Sequence, residues 1–404
     1  MLKFLFIIFI FFQSSYAFLI TQNNYKEQAS VLKSFDIDSS FLIDRVFVRM
    51  KSNADRYRTK HFLKVLEEGN RFVPYLRKLI QEAGIPEAFL YLAMAESNFT
   101  PTAYSKARAV GIWQFMPYTA RKFGLKINTY VDERRDPVKS TIAAIKYLKY
   151  LHNIFGKWYL AAIAYNCGEG RVQRAIRRAK TDDLSTLLNV RKKYLPRESR
   201  LYIRKIIMME SLANSSDFIL GNDSDYLLNR GTVETFAKVY VKEGTSLNSI
   251  ASSINLSLKQ FKSYNPQFRY NFVPPRKGKY GIYIPYDKQI AFRNNFDPNK
   301  SKSKFYVHIV KKGDSLYKLG KRYGINYRVI KDYNRLKSNF LRLRQSLIIP
   351  VLKPTTIRYT IKRGDTIGKV SKKFKVAINT ILKINNKKNT MVRVGEKIVL
   401  PQMY

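Results

Sequence analysis

Cysteine is nearly absent: Cys167 stands alone in a chain of 404 residues. One thiol excludes an internal disulfide, so stability must come from the apolar core, and there is no zinc-type Cys/His set. Acidic residues are scarce too, 29 Asp and Glu against 74 Lys and Arg, for a formal net charge of +45. Such an excess points to a polyanionic partner: nucleic acid, an anionic membrane face or an acidic wall polymer. The basic residues recur in every segment and form no dedicated tail, which is equally the pattern of a lysine-rich soluble surface. Aromatics interleaved with lysine could stack bases, but no nucleic-acid motif accompanies them, and no nucleic-acid partner is expected.

Long apolar runs are lacking as well. Phe4 to Phe12 supplies nine residues, where a membrane span needs about 20. Preceded by Met1-Leu2-Lys3 and followed by Ser15-Tyr16-Ala17, the run reads as a cleavable secretory signal over residues 1–17, and the product as exported to the periplasm or cell envelope. Hydrophobicity resumes weakly at Phe18-Leu19-Ile20, which leaves membrane association open. No cysteine lies near Ala17, so a lipoprotein anchor is excluded.

What is present is a hydrophobic content of 45%, enough for ordinary cores, in a length that suits two to four domains. Apolar spacing of three and four runs from about 35 to 212, interrupted by Pro74, Pro86, Pro117, Pro137 and Pro196, and describes a body of short helices. A boundary is expected near 215–235, where the texture changes.

Within the helical body, Glu96 ends the apolar stretch Phe89-Leu90-Tyr91-Leu92-Ala93-Met94-Ala95, and Phe89, Leu92 and Ala93 lie beneath it at helical spacing. A carboxyl on a core stripe without a basic partner tends to keep its proton, as cleavage of a glycosidic bond requires. Taken alone, one glutamate at a helix end is more simply a solvated side chain. Three elements later in the chain change that balance: Ser105, then Gly111-Ile112-Trp113-Gln114-Phe115-Met116-Pro117, then Ala164-Tyr165-Asn166-Cys167-Gly168-Glu169-Gly170. The next acids, Asp132, Glu133 and Asp136, fall in a charged run that reads as a solvated loop.

The last third is duplicated. Gly313-Asp314-Ser315-Leu316 and Gly364-Asp365-Thr366-Ile367 lie 51 residues apart, and the same offset relates Asn334 to Asn385 and Pro350 to Pro401 without a gap. Each copy reads strand, Gly-Asp turn, two helices and closing strand, with Pro354 in the linker between them. A fainter copy begins near Val241-Lys242-Glu243-Gly244; Asn265 keeps its register, and the closing Ile284-Pro285 arrives 4 residues late.

On the Glu-Ser, Gly-x-x-Gln-x-Met-Pro and Ala-Tyr-Asn-x-Gly-x-Gly elements, in that order, residues 75–212 resemble the lytic transglycosylases of lysozyme-like fold, specifically the membrane-bound type D, and the repeats resemble LysM peptidoglycan-binding modules. The resemblance implies an α+β multidomain chain: a helical segment at 18–74, a mainly α lysozyme-like catalytic domain at 75–215, and small βααβ LysM modules at 235–286 (degenerate), 305–351 and 357–402. It implies Glu96 as the sole catalytic acid/base, and Ser105, Gly111, Gln114, Met116, Tyr165, Asn166 and Glu198 along the glycan groove, with Ser199 where the pattern more often has Thr. Gly111 would let backbone approach the sugar. Trp113 and Cys167 fall at variable positions and receive no role. Glycan contact by the modules, at Gly313, Asp314, Asn334, Gly364, Asp365 and Asn385, rests on resemblance alone. The partners implied are peptidoglycan glycan strands; no cofactor or metal is called for.

The expected reaction cleaves the MurNAc–GlcNAc β-1,4 bond and leaves 1,6-anhydro-MurNAc ends. Two-carboxylate glycosidases hold their acids about 5–5.5 or 6.5–9.5 Å apart, and no second acid here suggests such a pair. Alternatives are a goose-type muramidase that admits water and a non-catalytic wall-binding scaffold.

Overall fold

The computed structural model describes residues 22–50, 59–215, 235–274, 279–299, 305–352 and 356–401, with 219 and 301 beside them and 375, 377 and 388 excepted. The 1–17 leader, the Pro354 linker and most of the 215–235 boundary lie outside the described residues. The chain divides into two units. The first comprises residues up to 241 with 250–271 and 279–296, and the second comprises 242–249, 272–278 and 297–404.

Helices build the first unit: α1 (Gln22–Ser34), α2 (Thr59–Gly69), α3 (Val73–Glu82), α4 (Phe89–Ser97), α5 (Pro117–Lys122), α6 (Pro137–Phe155), α7 (Trp158–Cys167), α8 (Glu169–Ala179), α9 (Leu184–Leu187) and α10 (Arg197–Asn214). Proline opens α5 and α6, where its missing N–H is no loss. Two helices are apolar all round and therefore occupy the centre: α4 buries Phe89 through Met94, and α7 buries Tyr159 through Ala164. α10 packs across both of them. α4 stops at Asn98, φ 51°, and α7 at Gly168, φ 89°. Positive φ ends a helix abruptly. The polar residues Glu96, Tyr165 and Asn166 thus sit at the ends of these two buried helices. The N-terminal segment belongs to this body, with Val31, Leu32 and Phe35 buried and Asp44 accepting two 2.8 Å hydrogen bonds from the Arg204 guanidinium on α10.

The charged run at 132–136 is not a solvated loop. Asp132, Glu133, Arg134 and Asp136 are all buried. Asp132 receives Arg134 Nε at 2.9 Å and Nη2 at 2.8 Å, and Glu133 pairs with Lys139 at 2.6 Å and accepts Lys126 N–H at 2.8 Å. Asp136 caps α6 through the Val138 and Lys139 amides. Opposite signs two and six residues apart satisfy one another once the chain folds back, a pairing that a search for apolar spacing does not register.

After the boundary, β1 (Phe236–Lys242), α11 (Leu247–Ser253), α12 (Leu258–Tyr264) and β2 (Lys279–Pro285) form the first βααβ module, β1 paired with β2, followed by α13 (Gln289–Asn295). This module is bound into the helical body. Phe236 rests on Phe72 and Tyr75, Asp132 N–H donates to the Gln267 carbonyl at 3.0 Å, and the Tyr283 hydroxyl reaches Asp136 at 3.1 Å.

The second unit holds the two clear copies: β3 (Phe305–Ile309), α14 (Leu316–Tyr323), α15 (Tyr327–Tyr333) and β4 (Ser346–Leu352), then β5 (Thr356–Thr360), α16 (Ile367–Phe374), α17 (Ile378–Ile384) and β6 (Lys397–Pro401). The strand pairs are antiparallel, with His308 opposite Leu347 and Tyr359 opposite Ile398, so the 51-residue offset holds in the register as well. The α+β multidomain architecture is therefore observed: a helical body and small two-stranded modules.

Candidate active site

Glu96 is half-buried in the last turn of α4, and its Oε1 accepts the Tyr202 hydroxyl of α10 at 2.5 Å. Burial pushes its carboxyl above the usual carboxylate range. The Tyr202 hydrogen bond and the Lys205 ammonium pull the other way, and the charge of Glu198 adds to the rise. Desolvation wins because the partner at hydrogen-bond distance is a neutral phenol instead of a cation. Burial also lifts Tyr202 well above the ordinary tyrosine range, and the neighbouring Glu96 carboxylate lifts it further, so the phenol stays protonated and donating.

Opposite α4, the segment 111–117 turns under tight restraint. Ser97 Oγ donates to the Ile112 carbonyl at 2.8 Å, and the Tyr165 hydroxyl donates to the Trp113 carbonyl at 2.7 Å. The two core helices thus clasp one turn between them. Trp113 is fully buried and its indole N–H donates to Thr141 Oγ1 at 2.8 Å, which makes it the anchor of the turn. From the far side Arg134 Nη1 donates to the carbonyls of Arg108 and Phe115, at 2.9 and 3.1 Å. Val110 and Phe115 exchange backbone hydrogen bonds across the turn.

Gly111 has a structural reason of its own. Its φ is 88°, and a Cβ there would stand 1.8 Å from the Arg134 carbonyl oxygen, so the close approach that needs glycine is to the protein's own backbone. Gln114 adopts φ 46° and donates Nε2 to the Gly111 carbonyl at 2.9 Å. Met116 is exposed, and Ser105 accepts the Ala109 amide at 2.9 Å. Asn166 Oδ1 accepts Ser199 Oγ at 2.7 Å, which ties the end of α7 to the first turn of α10. Glu198, in that first turn, is exposed. Tyr202, Tyr165 and Glu198 thus act on Glu96, Ser199 ties Asn166 to the same helix as Glu198, and Gln114 belongs to the turn that Tyr165 holds through the Trp113 carbonyl. Motif reading missed Tyr202 and Ser97; Tyr202 lies four residues after Glu198, one helical turn along the same face.

In the modules the proposed glycan contacts serve the fold. Asn334 Nδ2 donates to the Ile330 and Ile348 carbonyls while its Oδ1 accepts the Ile348 amide, all at 2.7 Å. Asn385 does the same with Ile381 and Val399, at 2.6–2.8 Å. Asn265 repeats it with Phe261 and Tyr283, which explains why the fainter copy kept this residue despite its late closing strand. Asp314 Oδ2 binds the Lys311 amide and the His308 ring, and Asp365 Oδ2 binds the Lys362 amide and the Tyr359 hydroxyl. Gly313 and Gly364, φ 84° and 86°, complete those turns. Exposed instead are Phe340 and Leu343, matched at the 51-residue offset by Met391 and Val394.

Residues 75–187 match the family model of the transglycosylase SLT domain, 235–300 that of the LysM-like domain of lytic transglycosylase MltD, and 308–350 and 359–401 that of the LysM domain. The chain is an SLT-domain transglycosylase with LysM modules. Among relatives, this transglycosylase is 26% identical to the membrane-bound lytic murein transglycosylase D of Escherichia coli K12 over 381 residues, 87% of this chain and 81% of that one. It is 40% identical to a putative tributyltin chloride resistance protein of an Alteromonas species over 114 residues, 27% of this chain and 55% of that one. The solved soluble lytic transglycosylase SLT70 of E. coli aligns at TM-score 0.30 and 19% identity over 50% of this chain and 30% of that one, too loosely to carry an argument.

Proposed function

We propose that this lytic transglycosylase cleaves the MurNAc–GlcNAc β-1,4 bond of peptidoglycan with Glu96 as its one catalytic acid and base, leaving 1,6-anhydro-MurNAc ends. The observation that carries the reading is the state of Glu96: a half-buried carboxyl at the end of a helix buried from Phe89 through Met94, held by a phenol and raised toward its protonated form. Protonated Glu96 gives its proton to the bridging oxygen as the C1–O bond breaks, and the 2-acetamido group supports the cationic centre. The carboxylate then removes the proton of the muramyl C6 hydroxyl, whose oxygen closes on C1. Proton and electron pairs balance within sugar and enzyme, and no water is consumed. An intramolecular hydroxyl competes well where the groove fixes its orientation, since effective concentrations reach about 10⁵ M or more. The clasped 111–117 turn, with Gln114 and Met116, supplies one fixed wall, and Tyr165 and Asn166 with Glu198 the other.

The LysM modules hold the enzyme on its polymer, and the exposed pairs Phe340/Leu343 and Met391/Val394 are the surfaces offered to the sugars. With its leader the protein is exported and works in the cell envelope, at the periplasmic face of the wall. Among the described residues no helix is long and apolar enough to cross a membrane.

Mass spectrometry of products from purified sacculi tests the reaction. Anhydro ends, lighter by one water than reducing ends, are the expected result; reducing ends alone refute it. The second reading is hydrolysis, for which Glu198, an exposed acid in the first turn of the helix that carries Tyr202, is the available base. If Glu198 is a base for water, Glu198→Gln abolishes reducing ends, whereas a transglycosylase keeps its anhydro product in that variant.

A further inference from the structure

A cleft of about 630 Å³ opens on the catalytic unit between α8 and the start of α10. Six cations line it, Arg171, Arg174, Arg178, Lys193, Arg197 and Arg200, and none of its lining residues is acidic. None of the residues assigned above to Glu96 and its groove lines it. Arg171, Arg174 and Arg178 recur at three and four residues, which stacks like charges along one face of α8 and destabilises the bare helix.

Arg200 shows that the cleft is a site and more than a solvated basic patch. It is only 8% exposed, and its Nη1 donates to the Asn189 carbonyl at 3.1 Å. Its Nε is buried without a hydrogen-bond partner among the described residues. A buried guanidinium with an unused donor is costly unless an acceptor arrives. The start of α10 borders the same cleft: its N-cap is Pro196, with no side-chain cap, Glu198 is the acid of its first turn, and Pro196, Arg197 and Arg200 line the cleft.

We propose that this cleft binds the carboxylates of the peptide stems carried by the glycan strand under cleavage. The inference rests on the function proposed above and names a second substrate contact for the same enzyme. Helix geometry sets the reach: Tyr202 faces Glu96, Arg197 lies about 100° round the helix from Glu198, and Arg200 lies about 160° from both Glu198 and Tyr202 and roughly 3 Å along the axis from Tyr202, so a stem passes round α10 to enter the cleft. Muramic acid is the sugar that bears the stem, so its carboxylates leave the strand beside the bond that Glu96 protonates. Arginine pairs bidentately with carboxylates, and several in one cleft suit a stem with more than one acid group.

The test uses the full chain and the double variant Arg174→Gln/Arg178→Gln, both residues being exposed and outside the core. Two substrates are compared: peptide-bearing sacculi and glycan strands freed of peptide by an amidase. Expected is a rise in KM of about tenfold on the peptide-bearing substrate, the loss of one or two charge-assisted hydrogen bonds, with kcat unchanged and the peptide-free substrate unaffected. An equal effect on both substrates, or none on either, overturns the proposal. Calorimetric titration with free stem peptide is the second measurement. It must weaken in the variant by a similar factor whether or not the enzyme cleaves, so failure of the lytic function and failure of the cleft are told apart. Sedimentation with phosphatidylglycerol vesicles covers the lipid headgroup source: vesicle binding lost in the variant while KM and peptide titration stay unchanged overturns the assignment to stems.

Discussion

The first βααβ module and the two that close the chain share one internal device and differ in surroundings. In each, an asparagine at the end of the second helix bridges helix and closing strand with both ends of its amide. In the first module Asn265 is wholly buried, and its neighbours Gln267, Phe268 and Tyr283 are buried as well. The last two leave Asn334 and Asn385 half-buried and display Phe340, Leu343, Met391 and Val394. A repeated unit can therefore become part of an enzyme's body or stay a binding module, depending on what its outer surface meets. The first module meets the 130–136 segment, whose Arg134 holds the active-site turn through the Arg108 and Phe115 carbonyls.

Predictions that strain this contrast run from catalysis to binding. Glu96→Gln should reduce lysis of sacculi by about 10²–10⁴-fold while sedimentation with sacculi is unchanged, since the modules are untouched; equal loss of both would erase the division of labour. Asn265→Ala should destabilise the catalytic unit by about 2–4 kcal/mol, because buried backbone groups lose their partners, against about 1 kcal/mol for Asn385→Ala, where water can substitute. Calorimetric unfolding of the two variants measures this, and equal costs would break the comparison.

Asp136 links module and body and gives a pH signature. Burial raises its carboxyl to about 6 from an ordinary 3.8. A raised folded-state value means the native state binds the proton more tightly, so this contribution is fully present below about pH 4 and is lost as pH rises through 6. Asp136→Asn keeps the helix cap and removes the titration; relative to wild type it should gain on the order of 1–3 kcal/mol between pH 4 and 7. Denaturation across that range checks the sign.

Tyr202→Phe removes the hydrogen bond that lowers Glu96. The carboxyl should then stay protonated to higher pH, so the alkaline limb of the pH–rate profile moves upward. The rate at the optimum should drop several-fold, because the acid is less firmly oriented. Smallest of all, Phe340→Ser or Met391→Ser should weaken binding to sacculi a few-fold each, without altering kcat on soluble glycan.

Much of the site was legible because its chemistry depends on local spacing. Glu96 on an apolar stripe, the Gly-x-x-Gln turn and the Ala-Tyr-Asn helix end are each contained within a few residues, as are the Gly-Asp turns. Tyr202 was not, since it reaches Glu96 across 106 positions. Nor was the fate of Asp132, Glu133 and Asp136, which look exposed in a one-dimensional reading and are buried because cations and amides from 126 to 139 close over them.

The amino-acid order alone determined the element types, the threefold βααβ repeat and the identity of the candidate acid, because helix stripes and turns are written in neighbouring residues. Only the folded chain decided which polar groups are exposed and which pair with one another. It turned Gly111, Asn334 and Asn385 to structural use, gathered Arg171 through Arg200 around one cleft, and set Glu96 beside a phenol. Burial and pairing are properties of residues far apart in sequence, and they govern both proton affinity and the cost of an unpaired charge.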